Sequence, residues 1–350
     1  MADGTIRWGV GVPQSHALAD VAAAVDAAEA VGFDDFFYGN EKLHADMWVG
    51  LTAAALRTSR VNLGTFIVDP YVQHPAVTAA AIATLDHYSG GRALLVLGAG
   101  GSGLHELGLE RRKPLEAIAA AVEIIRALLR GERVDRDGTL FPAHAQLHFP
   151  PRGEVPIWIA TRGQRMLELA GGIADGVMIG TIARPEDIAA AVETIRAGTV
   201  ARGRESDVTV SARVDVAVAD DAGAARDVLR SFVAGVLSAS YPDRGFVERA
   251  GVEIPVELEE ICRSKDLRLA WQSGHLVPDD AVDAFTWAGT PDHVAGRVAA
   301  AVDAGADNVT VVFHKNGGPP PEQLRAFAAE VVPRVNALLG SPALASPGSR

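Results

Sequence analysis

The sequence predicts an α/β fold: a (β/α)8 TIM barrel of eight parallel strands, with an insertion between strands seven and eight. Short apolar runs alternate with longer segments whose apolar residues recur at helical spacing. The runs are apolar at nearly every position, which is typical of parallel strands that are covered on both faces. Because there are eight such runs, closure into a barrel is favoured over an open sheet.

The strands are predicted from short apolar runs rich in β-branched residues, and each is followed by a longer segment. In chain order the runs are 6–13, 34–40, 61–69, 92–100, 155–161, 176–181, 208–219 and 308–315. Glycine after a helical pattern and proline in its first turn mark helix ends and starts. These signals predict helices over 18–31, 46–59, 75–90, 163–174, 185–197 and 320–339, and one that begins at Pro114.

Strands seven and eight are too far apart in the chain for a single crossover helix. We interpret residues 235–288 as an insertion with its own short helices, anchored by Trp271 and Trp287 and interrupted by prolines. Residues 1–339 are then one barrel domain. The remaining segment, 340–350, is rich in serine, proline and glycine and is predicted to be disordered.

The composition narrows the class of function. The chain of 350 residues carries a formal net charge of −12, which argues against nucleic acid or an anionic membrane as a general partner. A single cysteine, Cys262, excludes an internal disulfide framework and is expected to fill the core. No signal peptide or membrane span is predicted, so we expect a cytoplasmic protein.

A glycine-rich stretch follows strand four, with Gly98, Gly100 and Gly103 spaced as G-x-G-x-x-G. A dinucleotide-binding fold needs this loop after the first strand and directly before a helix. Here it follows the fourth strand, and residues 104–113 separate it from the next predicted helix. Two interpretations remain: a turn without a ligand, or bare backbone on which a flat ring could lie.

The segment "VNLGTFIVDPYVQHPAVTAAAIATLDHYSGGRALLVLGAG" (61–100) resembles the luciferase-like monooxygenase superfamily. It is most similar to the deazaflavin-dependent methylenetetrahydromethanopterin reductase branch. Residues 155–180 and 287–311 agree, and the resemblance is weakest over 220–285. It implies a barrel that holds coenzyme F-420, or alternatively FMN, at its C-terminal mouth. It also implies a homodimer or higher homo-oligomer.

The resemblance also implies which residues contact the coenzyme ring. A non-proline cis peptide would join Phe66 and Ile67 at the end of strand three. The bare backbone after strand four would comprise Gly98, Ala99, Gly100, Gly101 and Ser102. Related enzymes commonly have a carboxylate directly after these glycines, and this chain has Gly101-Ser102 instead.

Strand two ends at Asn40-Glu41, where related enzymes commonly have Asp-His. Asn40 could hydrogen-bond the ring edge. An apolar mouth would raise the pKa of Glu41, which suits a proton donor, and His44 is a second catalytic candidate. The alternatives are a carboxylate placed at a helix N-terminus and a solvated loop histidine.

Strand five runs into "ATRGQR", where Thr161, Arg162, Gly163 and Gln164 are the expected phosphate-binding residues. Backbone N–H groups at a helix N-terminus and a guanidinium both suit an anion. The alternative is a simple turn with a solvated arginine. The basic run 111–113 is a further candidate for an acidic coenzyme tail.

Other residues are singled out by position alone. Gln14 and His16, with Ser15 between them, follow strand one and are expected to face the substrate, a small molecule. His314 and Lys315 end strand eight. No grouping of histidines and carboxylates is convincing enough to predict a metal site.

Three functions follow from these features. The first is an F-420-dependent oxidoreductase that transfers hydride between C5 of the deazaflavin and a C=N or C=C bond of a small organic substrate. The second is an FMN-dependent luciferase-like monooxygenase, which would consume dioxygen. The third is a barrel that binds a small molecule without any cofactor, since two of the expected side chains are missing.

Overall fold

A computed structural model describes residues 6–340, apart from 102, 105, 139 and 205–207. It contains a closed barrel of eight parallel strands, which confirms the predicted fold class. The barrel strands are β1 (Arg7–Val12), β2 (Asp35–Gly39), β3 (Asn62–Phe66), β4 (Ala93–Leu97), β7 (Ile157–Thr161), β8 (Gly176–Gly180), β9 (Thr209–Val218) and β11 (Asn308–Phe313). Pairing of β8 with β9 closes the ring, so the barrel has no free edge.

Helices surround the barrel, and each barrel strand is followed by a helix, as the sequence predicts. They are α1 (Leu18–Val31), α2 (Met47–Ala55), α3 (Pro75–Ser89), α4 (Pro114–Leu129), α5 (Gln164–Ile173), α6 (Pro185–Ala201), α7 (Ala222–Ala239), α8 (Gly245–Ala250), α9 (Val256–Ser264), α10 (Leu267–Gln272), α11 (Asp279–Phe285), α12 (Pro291–Asp303), α13 (Pro320–Glu330) and α14 (Val332–Leu339). Among the described residues, no helix is long and apolar enough to span a membrane.

Some elements differ from the sequence prediction. A hairpin of β5 (Val134–Arg136) and β6 (Ala143–Ala145) lies between α4 and β7, and a short strand β10 (Thr286–Gly289) pairs with the second half of β9. These strands are too short to show a periodic pattern. The last predicted helix is two helices, α13 and α14, because Pro333 lacks the N–H that would continue the first one.

The region between β9 and β11 builds a second apolar core beside the barrel. Helix α7 starts at Ala222, so the insertion that we place at 235–288 begins within this helix. The buried residues of this second core include Leu229, Leu237, Leu258 and Val282. Cys262 is fully buried in the same core, and burial raises the pKa of its thiol.

Large apolar side chains fill the middle of the barrel. The interior cluster comprises Phe37, Leu94, Val96, Trp158 and Met178. Two glycines make room for it, since a Cβ on Gly64 would lie 2.3 Å from the ring of Phe37 and one on Gly176 would lie 2.5 Å from the indole of Trp158. The barrel is therefore closed by side chains below its C-terminal end.

A polar network occupies the N-terminal end of the barrel. Asp35 is fully buried and accepts hydrogen bonds from Arg7, Asn62 and Asn308 at 2.9, 2.8 and 2.8 Å. Burial raises the pKa of Asp35, against the effect of the Arg7 charge. The network cross-links β1, β2, β3 and β11, and so fixes the strand register from which the opposite, C-terminal end is built.

Helices α5 and α6 pack with their backbones almost in contact. A Cβ on Gly171 would lie 2.0 Å from the carbonyl oxygen of Ile195, and a Cβ on Gly198 would lie 2.0 Å from that of Glu168. We predict that Gly171→Ala lowers the free energy of unfolding by about 1–3 kcal/mol, because the helices must separate. Denaturant unfolding followed by circular dichroism measures this change.

The matched control is Gly296→Ala, also within a helix. A Cβ at Gly296 would meet no atom within 4 Å, so this variant should be more stable than the original by about 0.5–1 kcal/mol. Equal midpoint shifts in the same direction for the two variants would contradict the close packing of α5 on α6.

Candidate functional site

A cavity of about 960 Å³ opens at the C-terminal ends of the barrel strands. Loops after the strands form one part of its wall, and helices α7 and α10 form the rest. The volume suits a ligand the size of a coenzyme or a drug. In barrels of this type, this is the end at which active sites lie.

Most of the predicted site residues border this cavity. Those that do are Asn40, Glu41, His44, Phe66, Ile67, Gly98, Ala99, Gly100, Gly101, Thr161 and Arg162. Gln164 instead borders a smaller cavity of about 180 Å³ that shares Arg162 as a wall. Gly163 immediately precedes helix α5, and Ser102 lies outside the described residues.

The cis peptide predicted between Phe66 and Ile67 is present. Asn40 holds the backbone on both sides of it: its N–H donates to the carbonyl of Phe66 at 2.8 Å, and its side-chain amide donates to that of Ile67 at 3.1 Å. Asn40 therefore both borders the cavity and fixes the bulge after β3.

The glycine-rich loop after β4 lies on a buried ion pair. Lys42 Nζ is 2.9 Å from Asp69 Oδ2, and the two side chains are 6% and 2% exposed. A Cβ on Gly103 would lie 3.0 Å from the side chain of Lys42, and one on Gly100 would lie 2.8 Å from the side chain of Leu104 and in contact with Asp69 at 3.4 Å. Both glycines have a positive φ, so this close approach and this conformation account for them.

Glu41 borders the cavity beside Asn40, and burial raises the pKa of its carboxyl, although His44, His314 and Lys42 oppose the shift. No described residue donates a hydrogen bond to this carboxyl. It thus stays protonated to a higher pH than a solvated glutamate, as a proton donor requires. His44 is exposed at the rim of the cavity.

Gln14 and His16 lie behind the cavity wall, which differs from the expectation that they face a substrate. The side chain of Gln14 accepts a hydrogen bond from the N–H of Glu41 and donates one to the carbonyl of Ala45. His16 Nε2 is 3.3 Å from the carbonyl oxygen of Phe313, and burial lowers the pKa of His16. Gln14 therefore shapes the loop after β2, while Ser15 between them reaches the cavity.

Arg162 is a cation without a carboxylate partner among the described residues. Its guanidinium donates to the hydroxyl of Ser240 and lies 4.2 Å from the centre of the Phe246 ring. Burial, with the nearby charges of Arg213 and Arg249, lowers the pKa of Arg162 to about 10, although the charge of Asp243 opposes the shift. Helix α5 begins two residues later, and Gln164 in its first turn borders the smaller cavity that shares Arg162, so a cation and a helix N-terminus, both of which suit an anion, come from one short segment.

Sequence reasoning missed the charged network on β9. Arg213 donates to both oxygens of Asp215 at 2.6 and 2.9 Å, and His314 Nε2 lies 2.7 Å from Asp215 Oδ1. Arg213 and His314 border the cavity. The sequence does carry a signal for this network: Arg213 and Asp215 are two positions apart in an apolar strand, so their side chains must lie on the same face.

Helices α7 and α10 give the cavity an apolar side. The lining residues here are Val228, Ser231, Phe232, Leu267, Trp271 and Gln272. A Cβ on Gly235 would lie 2.7 Å from the indole of Trp271, so this glycine lets α10 approach α7. The cavity thus has an apolar wall facing a wall of backbone and charged groups.

Comparison with known proteins gives consistent results. A family model described as luciferase-like monooxygenase matches residues 5–308. The chain is similar to 5,10-methylenetetrahydromethanopterin reductases of Methanolobus tindarius (32% identity over 307 residues; 87% of this chain, 93% of that protein) and Archaeoglobus fulgidus (33% over 317 residues; 89% and 94%). A solved coenzyme F-420-dependent tetrahydromethanopterin reductase from Methanopyrus kandleri matches with a TM-score of 0.83 at 26% identity, covering 94% of this chain and 99% of that one.

The buried ion pair yields a prediction. Lys42→Met leaves the carboxylate of Asp69 buried without its cation, so the free energy of unfolding should fall by about 3–5 kcal/mol. Thermal or denaturant unfolding at neutral pH measures the loss.

The double variant Lys42→Met with Asp69→Asn should recover most of the lost stability, because it removes the uncompensated charge. An amide oxygen at position 69 can still accept the hydrogen bonds from the N–H groups of Tyr71 and Val72. A double variant no more stable than Lys42→Met would show that the ion pair does not hold these loops together.

Proposed function

This chain belongs to the luciferase-like monooxygenase family, and on that basis we propose that it is an oxidoreductase dependent on coenzyme F-420. The observation that carries the proposal is a cavity whose wall has two unlike parts. One part is backbone around Gly98–Gly101 and the cis peptide, and the other holds Arg162, a half-buried cation without a carboxylate partner among the described residues. A flat ring with a phosphate-bearing tail requires these two features.

The glycine residues of the backbone part of the wall fit a flat ring. A Cβ on Gly101 would meet no atom within 4 Å, so the backbone there is open. A Cβ on Gly98 would lie 2.8 Å from the side chain of Ile67, so glycine is needed where the two loops meet. The glycines at 98, 100 and 101 thus offer peptide planes without side chains, against which a ring can stack.

Each part of the cavity wall has a distinct task in the proposed reaction. When bound, the coenzyme would supply or accept a hydride at C5 of its ring, with a small organic substrate as the other reactant. Arg162 and the N-terminus of α5 bind the phosphate, and Glu41 holds a proton near Asn40. The apolar wall of α7 and α10 excludes water and receives the substrate.

Relatives support this choice over the FMN alternative. The Methanopyrus kandleri structure is named as coenzyme F-420-dependent, and the curated relatives are named as reductases. The proposed substrate class is a small molecule with a reducible C=N or C=C bond. Because this chain has Asn40-Glu41 after β2 and Gly101 after the glycines, we do not carry over the specific substrate of those reductases.

Titration of the purified protein with F-420 and, separately, with FMN tests the proposal through quenching of ligand fluorescence. Saturable binding of F-420, with weaker or no binding of FMN, is the expected result. Binding of FMN alone, with oxygen uptake after reduction, would support the monooxygenase instead. Failure of both ligands to bind would support the cofactor-free barrel.

The phosphate site yields a prediction of its own. Arg162→Ala should weaken F-420 binding by about 1–3 kcal/mol, because a charge-assisted hydrogen bond to phosphate is lost. Arg165→Ala is the matched control: Arg165 is exposed on the first turn of α5 and lies outside both cavities, so its removal should leave the affinity nearly unchanged. Equal losses for both variants would indicate a general charge effect and remove the assignment of Arg162.

A further inference from the structure

A buried carboxylate holds a histidine at the cavity wall, and the roles assigned above do not use either group. Asp215 is fully buried, and its two oxygens accept three hydrogen bonds, two from Arg213 and one from His314. Arg213 lies on β9, and His314 directly follows the adjacent strand β11. The carboxylate therefore cannot rotate without breaking several hydrogen bonds, and it fixes the positions of the Arg213 and His314 side chains.

The imidazole of His314 is held in one orientation. Its side chain is 12% exposed, and its ring packs on that of Phe232 with centroids 4.6 Å apart. Gln323 donates to the backbone carbonyl of His314 at 3.0 Å. The carboxylate of Asp215 can only accept, so Nε2 of His314 carries a proton and donates it. Among the described residues, no group hydrogen-bonds Nδ1.

The charges around His314 come from several elements. Asp215 and Arg213 form a neutral pair on β9, and Lys315 follows His314 after β11. His16, after β1, and Glu41, after β2, are near enough to interact with His314 electrostatically. The single buried carboxylate in contact with the imidazole thus makes this the place on the wall best suited to a transient imidazolium.

We propose that His314 exchanges a proton with the oxygen or nitrogen of the substrate through Nδ1, with Asp215 fixing its tautomer and orientation. This assignment rests on the proposed function. It extends the substrate class from C=N to C=O bonds, since either bond leaves a heteroatom that must gain a proton. As hydride reaches the substrate carbon, the π pair of the C=N or C=O bond moves to that heteroatom. The heteroatom then bonds to the proton on Nδ1 of the imidazolium. The electron pair of that N–H bond returns to the ring, which leaves a neutral imidazole with its proton on Nε2. In the reverse direction, neutral Nδ1 accepts the proton.

Glu41 and His314 reach the same cavity from different loops. Glu41 follows Asn40, which holds the cis peptide, and so we assign it to the part of the wall that binds the coenzyme ring. His314 contacts Phe232 on α7 and belongs to the side that receives the substrate. His314 therefore specifies substrates that gain a proton on a heteroatom as they gain a hydride.

The first test needs neither coenzyme nor turnover. Nitrogen-15 NMR of the full chain with labelled histidine gives the tautomer of each imidazole. The signals of His314 are identified as those that disappear from the spectrum of the His314→Gln variant. At about pH 8.5, where unperturbed imidazoles are neutral, we expect His314 to carry its proton on Nε2. A proton on Nδ1, or an equal mixture of tautomers, would overturn the proposal.

The second test compares two probe substrates with the F-420-loaded enzyme. Cyclohexanone must gain a proton on oxygen when it is reduced, whereas the N-methylpyrrolinium ion needs only a hydride. In His314→Gln, reduction of cyclohexanone should fall about 100-fold or more, and reduction of N-methylpyrrolinium should change less than about threefold. Affinity for F-420 should stay near that of the original protein, because glutamine can still donate to Asp215.

His144→Gln is the matched control, since His144 also contacts aspartates, Asp135 and Asp137, but lies exposed on the β5–β6 hairpin. Equal losses on both probes in His314→Gln would show a purely structural role and overturn the proposal, as would no loss on cyclohexanone. Failure of the original protein to bind F-420 would instead count against the proposed function, and the NMR result would still decide the tautomer of His314.

Discussion

The ion pair between Lys42 and Asp69 is the contact on which the candidate coenzyme site depends. It lies beneath three loops, those after β2, β3 and β4, and the glycines at 100 and 103 pack directly on it. A buried pair of this kind contributes little to net stability, but it strongly disfavours any arrangement that separates the charges. The loops are thereby held in one geometry, with bare backbone facing the cavity.

The barrel could be predicted from the sequence because its strands are short, apolar and regularly alternated with helices. Some elements could not be predicted from sequence patterns, for physical reasons that differ between them. Strands β5, β6 and β10 have three or four residues each, and pairing rather than pattern creates them. The break between α13 and α14 carried a signal, Pro333, that the helical periodicity around it obscured.

The site was only partly predictable, because the end of a strand shows where a residue lies but not which way its side chain points. Position alone placed Gln14 and His16 beside the substrate, yet their side chains turn behind the wall and bond to backbone there. The cis peptide came from the resemblance to a family and not from any local pattern. Arg213 and Asp215 could have been found from strand alternation, whereas their contact with His314 depends on the pairing of β9 with β11.

The central claim is that a flat redox ring lies on the backbone that these loops expose. A crystal structure of the protein with bound F-420 tests it most directly. The account predicts the deazaflavin ring against the Phe66–Ile67 peptide and the Gly98–Gly101 backbone, with its phosphate in hydrogen-bond reach of Arg162. A ring bound elsewhere, or a mouth filled by side chains from α7 and α10, would contradict it.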